Sequence, residues 1–285
     1  MTVELLSLSS AFLFASSLAL VRIGVRESNP FTGTAVTVGV CALFFWVFAL
    51  AFLPAEKLLD KSSWVFALDG AMALGLSRWI LFAGIAAIGV SRASSISGAS
   101  PLFATLFAIF LLRESATWPI ITGAVAIVLG IAFISYREEG TPWRAGGIIL
   151  SLSAAVLFGI SPNLRKWGFG MGVHPISAIA VGFTTALAML YPVSKLSGEK
   201  WQIILTRHSA IFFTLAGLLN VASAMTYYYS IYLGKVVIVG PLANSYPLFN
   251  ILIAYLFMRE GEGLNWKVIS GALLIISGAT AIMLR

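Results

Sequence analysis

The sequence predicts an all-α polytopic membrane protein of ten transmembrane helices, arranged as two inverted five-helix repeats. Three observations carry that expectation. Hydrophobic residues make up 59% of the 285-residue chain and charged residues only 10%, against about 25% charged in a soluble domain. The charges that do occur fall between long apolar runs. The second half of the chain then repeats landmarks of the first.

The composition leaves too little polar surface to cover a globule facing water, whereas lipid solvates an apolar exterior. Aromatics at 13% and 26 glycines fit helices that pack closely and anchor at the interfaces. A net charge of +7 would suggest a nucleic-acid binder, but the basic residues do not cluster. Arg165-Lys166 is their single adjacent pair, and no basic stripe with interleaved aromatics exists. The charges read as punctuation of membrane spans, so nucleic acid is not an expected partner. One cysteine, Cys41, cannot form an intrachain disulfide, and its apolar surroundings suit a small buried side chain. With His174 and His208 far apart, neither a metal nor another cofactor is expected.

Uncharged runs cover 5–21, 28–55, 93–112, 115–136, 145–164, 167–194, 208–234, 236–258 and 268–284. About 20 residues at 1.5 Å each cross a hydrocarbon core of roughly 30 Å. One further apolar segment, 64–90, is interrupted by Asp69 and Arg78. Helices are expected near 5–22, 31–53, 64–90, 93–112, 118–136, 145–165, 173–194, 209–233, 236–258 and 265–284. The first run follows Glu4 rather than a basic stretch, which argues against a cleaved signal peptide.

A shift of 146 residues places Pro101-Leu102-Phe103 on Pro247-Leu248-Phe249 and Arg113-Glu114 on Arg259-Glu260. Two residues are then gained, and Trp118, Gly123 and Gly130 meet Trp266, Gly271 and Gly278. A shift of 144 aligns Leu8-Ser9 and Leu13-Phe14 with Leu152-Ser153 and Leu157-Phe158, and Asn29-Pro30 then meets His174-Pro175. The halves are 1–140 and 141–285. Each holds an odd number of helices, so the second enters the membrane from the opposite side. Such inverted repeats are frequent in secondary transporters, with the substrate site between the halves.

The pattern "SISGASPLFATLFAIFLLRESATWPIITGAVAIVLGIAFI" and its copy "GPLANSYPLFNILIAYLFMREGEGLNWKVISGALLIISGATAIML" resemble the drug/metabolite transporter superfamily, in particular its ten-helix EamA-like permeases. The resemblance covers the whole chain. It implies transport of a metabolite, often efflux of amino acids or related compounds, and cytoplasmic termini. The distribution of Lys and Arg leans weakly toward the opposite orientation. Four-helix members of the superfamily couple to protons through a Glu in the first helix. Here that helix has only Glu4, at its mouth, so proton antiport has no support in the sequence.

Arg78 is the first candidate for contact with a substrate, because it falls near the middle of the third helix. A charge there costs roughly 2.5–3.5 kcal/mol and usually faces a cavity or a partner. A guanidinium holds a carboxylate or phosphate through two parallel hydrogen bonds. Asp69, nine positions earlier, lies about 180° around the same helix and is poorly placed to pair with it. Trp79 neighbours Arg78 and could stack on a ligand, or simply pack. Pro101 and Pro247 interrupt the fourth and ninth helices, where they are expected to bend the backbone and line or hinge a cavity. Ser97, Asn244, Asn220, Tyr227 and Asn163 lie on polar stripes that suit either a solvated passage or hydrogen bonds between helices.

The sequence therefore predicts a transporter moving a small metabolite by alternating access between its repeats, in the plasma or inner membrane of the cell. Its expected partners are the small-molecule substrate and the lipid bilayer, and its expected state is a monomer or homodimer. The competing readings are a flippase for lipid-linked substrates and a receptor or scaffold. No nucleophile–base set or zinc-binding motif suggests an enzyme.

Overall fold

The fold is described from a computed structural model covering residues 1–135, 144–196, 202–258 and 266–284. Among the described residues, ten helical spans are long and apolar enough to cross a membrane. In chain order they are span 1 (Thr2–Val25), span 2 (Pro30–Phe52), span 3 (Ala55–Ile88), span 4 (Arg92–Leu111) and span 5 (Trp118–Ser135). The second half supplies span 6 (Ala145–Gly170), span 7 (Pro175–Pro192), span 8 (Arg207–Leu233), span 9 (Val236–Leu256) and span 10 (Trp266–Met283). Alternation places the ends near Thr2 and Met283 on one side of the membrane, the terminus face. The other side is called the far face. Arg259-Glu260, read from sequence as a landmark at the end of the ninth helix, lies outside the described residues.

The packing repeats with the inverted symmetry. Span 1 lies along span 8, and its counterpart span 6 lies along span 3. Span 4 packs on span 6, and span 9 on span 1. Spans 2 and 7 pack on each other, as do spans 5 and 10. Each half therefore buries its faces mainly against the other, and the halves interlock. The local starts match too. Asn29 caps span 2 by accepting a 2.8 Å bond from the Thr32 N–H. His174 holds the same place before span 7, where its Nδ1 accepts from the Ile176 N–H at 3.3 Å. Partial burial and then the nearby Lys57 lower the pKa of this loop imidazole, in keeping with an Nδ1 that accepts.

Spans 5 and 10 show why glycine is spaced by seven. A Cβ on Gly123 would lie 2.6 Å from the Gly278 carbonyl oxygen, and one on Gly130 2.6 Å from that of Gly271. The reverse distances, from Gly278 and Gly271, are 2.5 and 2.7 Å. Small residues let two backbones touch where lipid offers no hydrophobic drive. Gly123→Val with Gly130→Val should therefore separate these spans at a cost of about 1–3 kcal/mol per site. A lower melting temperature in detergent is the expected result, and an unchanged one would show that the contact contributes little.

Three spans are irregular. Span 3 joins the helices Trp64–Gly70 and Ser77–Ile88 through a π-helical stretch, Ala71–Leu76. Span 4 breaks between Val90–Ser97 and Ser100–Leu111, and span 9 between Val236–Ala243 and Tyr246–Ile253. The breaks match bond for bond. Ala99 N–H donates to Ile96 and Leu102 N–H to Ala99, at 3.1 and 3.0 Å. Ser245 N–H donates to Leu242 and Leu248 N–H to Ser245, at 3.2 and 3.0 Å. Pro101 and Pro247 stand in the first turn of the second segment, where a missing N–H costs least. They begin new helical segments rather than bending continuous ones. The residues at both breaks are buried or half-buried, and broken backbone is tolerated where it faces protein or a cavity.

Candidate substrate cavity

A central cavity of about 310 Å³ lies between the halves. Span 1 contributes Ser10 and Phe14, span 3 Asp69 and Arg78, and span 6 Arg165. Span 8 contributes Asn220, Ser223, Tyr227 and Tyr228, and span 9 Asn244 and Tyr246. Gly70 makes the crossing of spans 3 and 7 possible, since a Cβ there would collide with the Gly182 carbonyl oxygen and Thr185 Oγ1.

Arg78 lines the cavity without a hydrogen-bond partner among the described residues. Tyr246, on span 9, lines the same cavity. The π-helical stretch precedes Arg78 and sets the direction in which span 3 presents it. Asn220 also lines the wall with no hydrogen bond among the described residues. Asn244 donates to the Gly240 carbonyl at 2.8 Å, which leaves its amide oxygen uncommitted. Ser10 and Ser223 bond to each other and tie span 1 to span 8.

The other charges in the wall are paired. Arg165 Nε donates to Asp69 Oδ2 at 2.6 Å, and the Ser161 hydroxyl donates to Asp69 Oδ1. The Arg165 guanidinium carbon lies 4.6 Å from the Tyr228 ring centre and 5.4 Å from that of Tyr227. Asp69 is 1% exposed, so this is a buried ion pair. Removing either partner alone from such a pair costs about 3–5 kcal/mol, because the other is left uncompensated.

Of the residues singled out from sequence, Arg78, Asn220, Tyr227 and Asn244 come together in this cavity. Trp79, Ser97 and Asn163 do not line it. Ser97 bonds to the Ser94 carbonyl within its own helix, at 3.1 Å. Asn163 is buried and donates to the carbonyls of Ala104 and Gly159, at 3.1 and 3.0 Å, so it holds span 6 against span 4. Pro101 is buried beside the break in span 4, and Pro247 borders a second crevice of about 280 Å³ with Arg22 and Asn250. Sequence reasoning missed Arg165, which it took as an end-of-span charge, and left Asp69 without a partner.

Toward the terminus face, polar contacts tie the ends of spans 4, 6, 8 and 9 together. Glu114, just past span 4, accepts the N–H groups of Val236 and Val237 with its two carboxylate oxygens, each at 3.0 Å. It thereby caps the start of span 9. Lys166 donates to the Ile231, Tyr232 and Gly234 carbonyls at 3.0, 3.2 and 2.6 Å, which closes the end of span 8. Lys235 reaches Ser115 at 2.7 Å.

A ten-span bundle with interlocked inverted halves and a central polar cavity is the build expected of a secondary transporter. The EamA-like transporter family model matches residues 1–136 and again 145–284. The chain belongs to that family. It is thus a multi-pass membrane transporter of the drug/metabolite type. No curated protein matches the chain. Among solved structures, 29 chains are similar to it. One of them, described only as "Crystal structure of protein", shares 18% identity and a TM-score of 0.80. That likeness covers 99% of this chain and 96% of the other, and it shows the fold. Within the transporter's described residues, no group of three His, Cys, Asp or Glu is placed to hold a metal ion.

Proposed function

We propose that the protein is a secondary transporter that moves a small carboxylate-bearing metabolite, an amino acid or related compound, out of the cell. The observation that carries this reading is Arg78, a cation in the cavity wall with no hydrogen-bond partner among the described residues. An uncompensated guanidinium in that position favours an anionic group that enters and leaves. Phe14, Phe183 and Leu18 supply an apolar surface for the rest of the solute.

We infer that the contacts at the terminus face seal the cavity, so that alternating access requires them to open. The bonds join Glu114 and Lys166 to the ends of spans 8 and 9, so releasing them would free the first segment of span 9. Losing the Glu114 cap costs about 1 kcal/mol, or roughly fivefold in an opening equilibrium. In a Cys41→Ala background, Glu114→Ala should raise several-fold the rate at which Ala224→Cys reacts with a thiol reagent from the terminus face. An unchanged rate would remove the seal from the mechanism.

The test of function is flux. Purified protein in sealed vesicles should accelerate counterflow of at least one labelled carboxylate from a panel of amino acids and organic acids. Movement of amines alone would sink the carboxylate reading. Flux of lipid-linked compounds alone would favour a flippase.

A further inference from the structure

The wall of the cavity holds three charged side chains among the described residues: Arg78, Arg165 and Asp69. Two of them cancel. Asp69 is fixed on both oxygens, by Arg165 Nε and by the Ser161 hydroxyl. Arg165 is fixed in turn by Asp69 on one side and by the faces of Tyr227 and Tyr228 on the other. The pair joins span 3 of one half to span 6 of the other, so it is built by the tertiary fold and belongs to neither half alone. Arg78 remains, with Asn220 as an uncommitted polar neighbour in the wall.

We propose that Asp69 is a specificity-determining residue: by occupying Arg165 it leaves the cavity one free positive charge among the described residues, and so matches it to solutes with one net negative charge. The inference rests on the proposed transport function and narrows it. A solute with one net negative charge neutralises Arg78 and leaves no charge over. A dianion brings a second negative charge for which the wall has no free cation. A zwitterion brings an ammonium group for which the wall has no free carboxylate, because Asp69 is already bonded. Within the proposed class, the favoured compounds are monocarboxylic acids that lack an amine and amino acids whose amine is blocked. Electrostatic complementarity of this kind selects by rejecting the wrong partners as much as by holding the right one.

The test compares three probes with the same branched aliphatic body at pH 7.5. Isocaproate carries one net negative charge, leucine none, and isobutylsuccinate two. Wild-type protein in vesicles should move isocaproate at least tenfold faster than either of the others. Asp69→Asn frees Arg165 and should turn the preference toward isobutylsuccinate by at least tenfold. Arg165→Gln leaves Asp69 against Arg78 and should turn it toward leucine. The double variant restores one free positive charge and should return the preference to isocaproate, while Asp69→Glu should keep the wild-type order throughout. Asn220→Lys reaches two free charges without touching the pair, so it decides the matter even where the single variants of the pair do not insert. It too should turn the preference toward isobutylsuccinate. A preference order that stays the same across these variants, or that follows residue identity rather than summed charge, overturns the inference and leaves Asp69 a structural role. A wild-type protein that moves none of the three overturns the transport reading on which it stands.

Discussion

Arg78→Ala should give a protein that inserts normally and barely transports. The guanidinium lies in the cavity wall with no hydrogen-bond partner among the described residues, so no hydrogen bond described in the fold is lost with it. Removing a charge from midspan relieves a cost of roughly 2.5–3.5 kcal/mol, so expression is expected to hold or rise. On the proposed reading, a substrate carboxylate loses two charge-assisted hydrogen bonds. A bond to a charged group contributes about 1.5–3 kcal/mol, so the loss of both points to a drop of at least about 100-fold in flux at low substrate. Arg78→Lys keeps the charge but offers one ammonium in place of the fork, and should fall between the two. Initial rates at matched protein levels in vesicles measure all three. Wild-type flux in the Ala variant would demote Arg78 to a structural residue and move the substrate toward neutral or cationic compounds.

The second large effect is expected from Pro101→Ala combined with Pro247→Ala. Each proline stands in the first turn after a break, and the two breaks share the same hydrogen-bond pattern. Alanine restores an N–H, which can then bond one turn back and let each span run on as one helix. Proline disfavours an uninterrupted helix by about 3 kcal/mol relative to alanine, so the balance between broken and continuous forms moves by more than 100-fold at each site. The double variant should fold, melt at an equal or higher temperature, and transport at least tenfold more slowly. Flux equal to wild type would confine both residues to packing.

Much of the architecture is legible in the chain because lipid imposes it directly. A span must be apolar over about 20 residues, and hydropathy reads that without knowing any contact. All ten expected helices correspond to spans of the structure, with ends displaced by a few residues except at the start of span 3. The glycines that the repeat aligns, Gly123 and Gly130 with Gly271 and Gly278, form the contact between spans 5 and 10. Arg78 was visible for the same reason, since a lone charge inside a span stands out against its surroundings.

The cavity was less legible. Periodicity places Asn163 and Asn220 on polar stripes but does not say what each stripe faces. Asn163 turned out to bond a neighbouring backbone, whereas Asn220 faces open space. Trp79 follows Arg78 in sequence yet points about 100° away around the helix, and only one of the two lines the cavity. The π-helical stretch Ala71–Leu76 alters the register just before Arg78 and leaves no plain mark in the residues that form it.

The amino-acid chain alone specifies ten spans in two inverted halves, marks Pro101 and Pro247 as irregular points in theirs, and places a cation at midspan. Those are properties of single segments in a solvent that penalises every unpaired polar group. Only the tertiary structure decided which charges remain free. Asp69 and Arg165 are 96 positions apart, on spans that meet because the halves interlock. No local pattern records that their charges cancel, since a charge in a cavity is defined by what lies across from it.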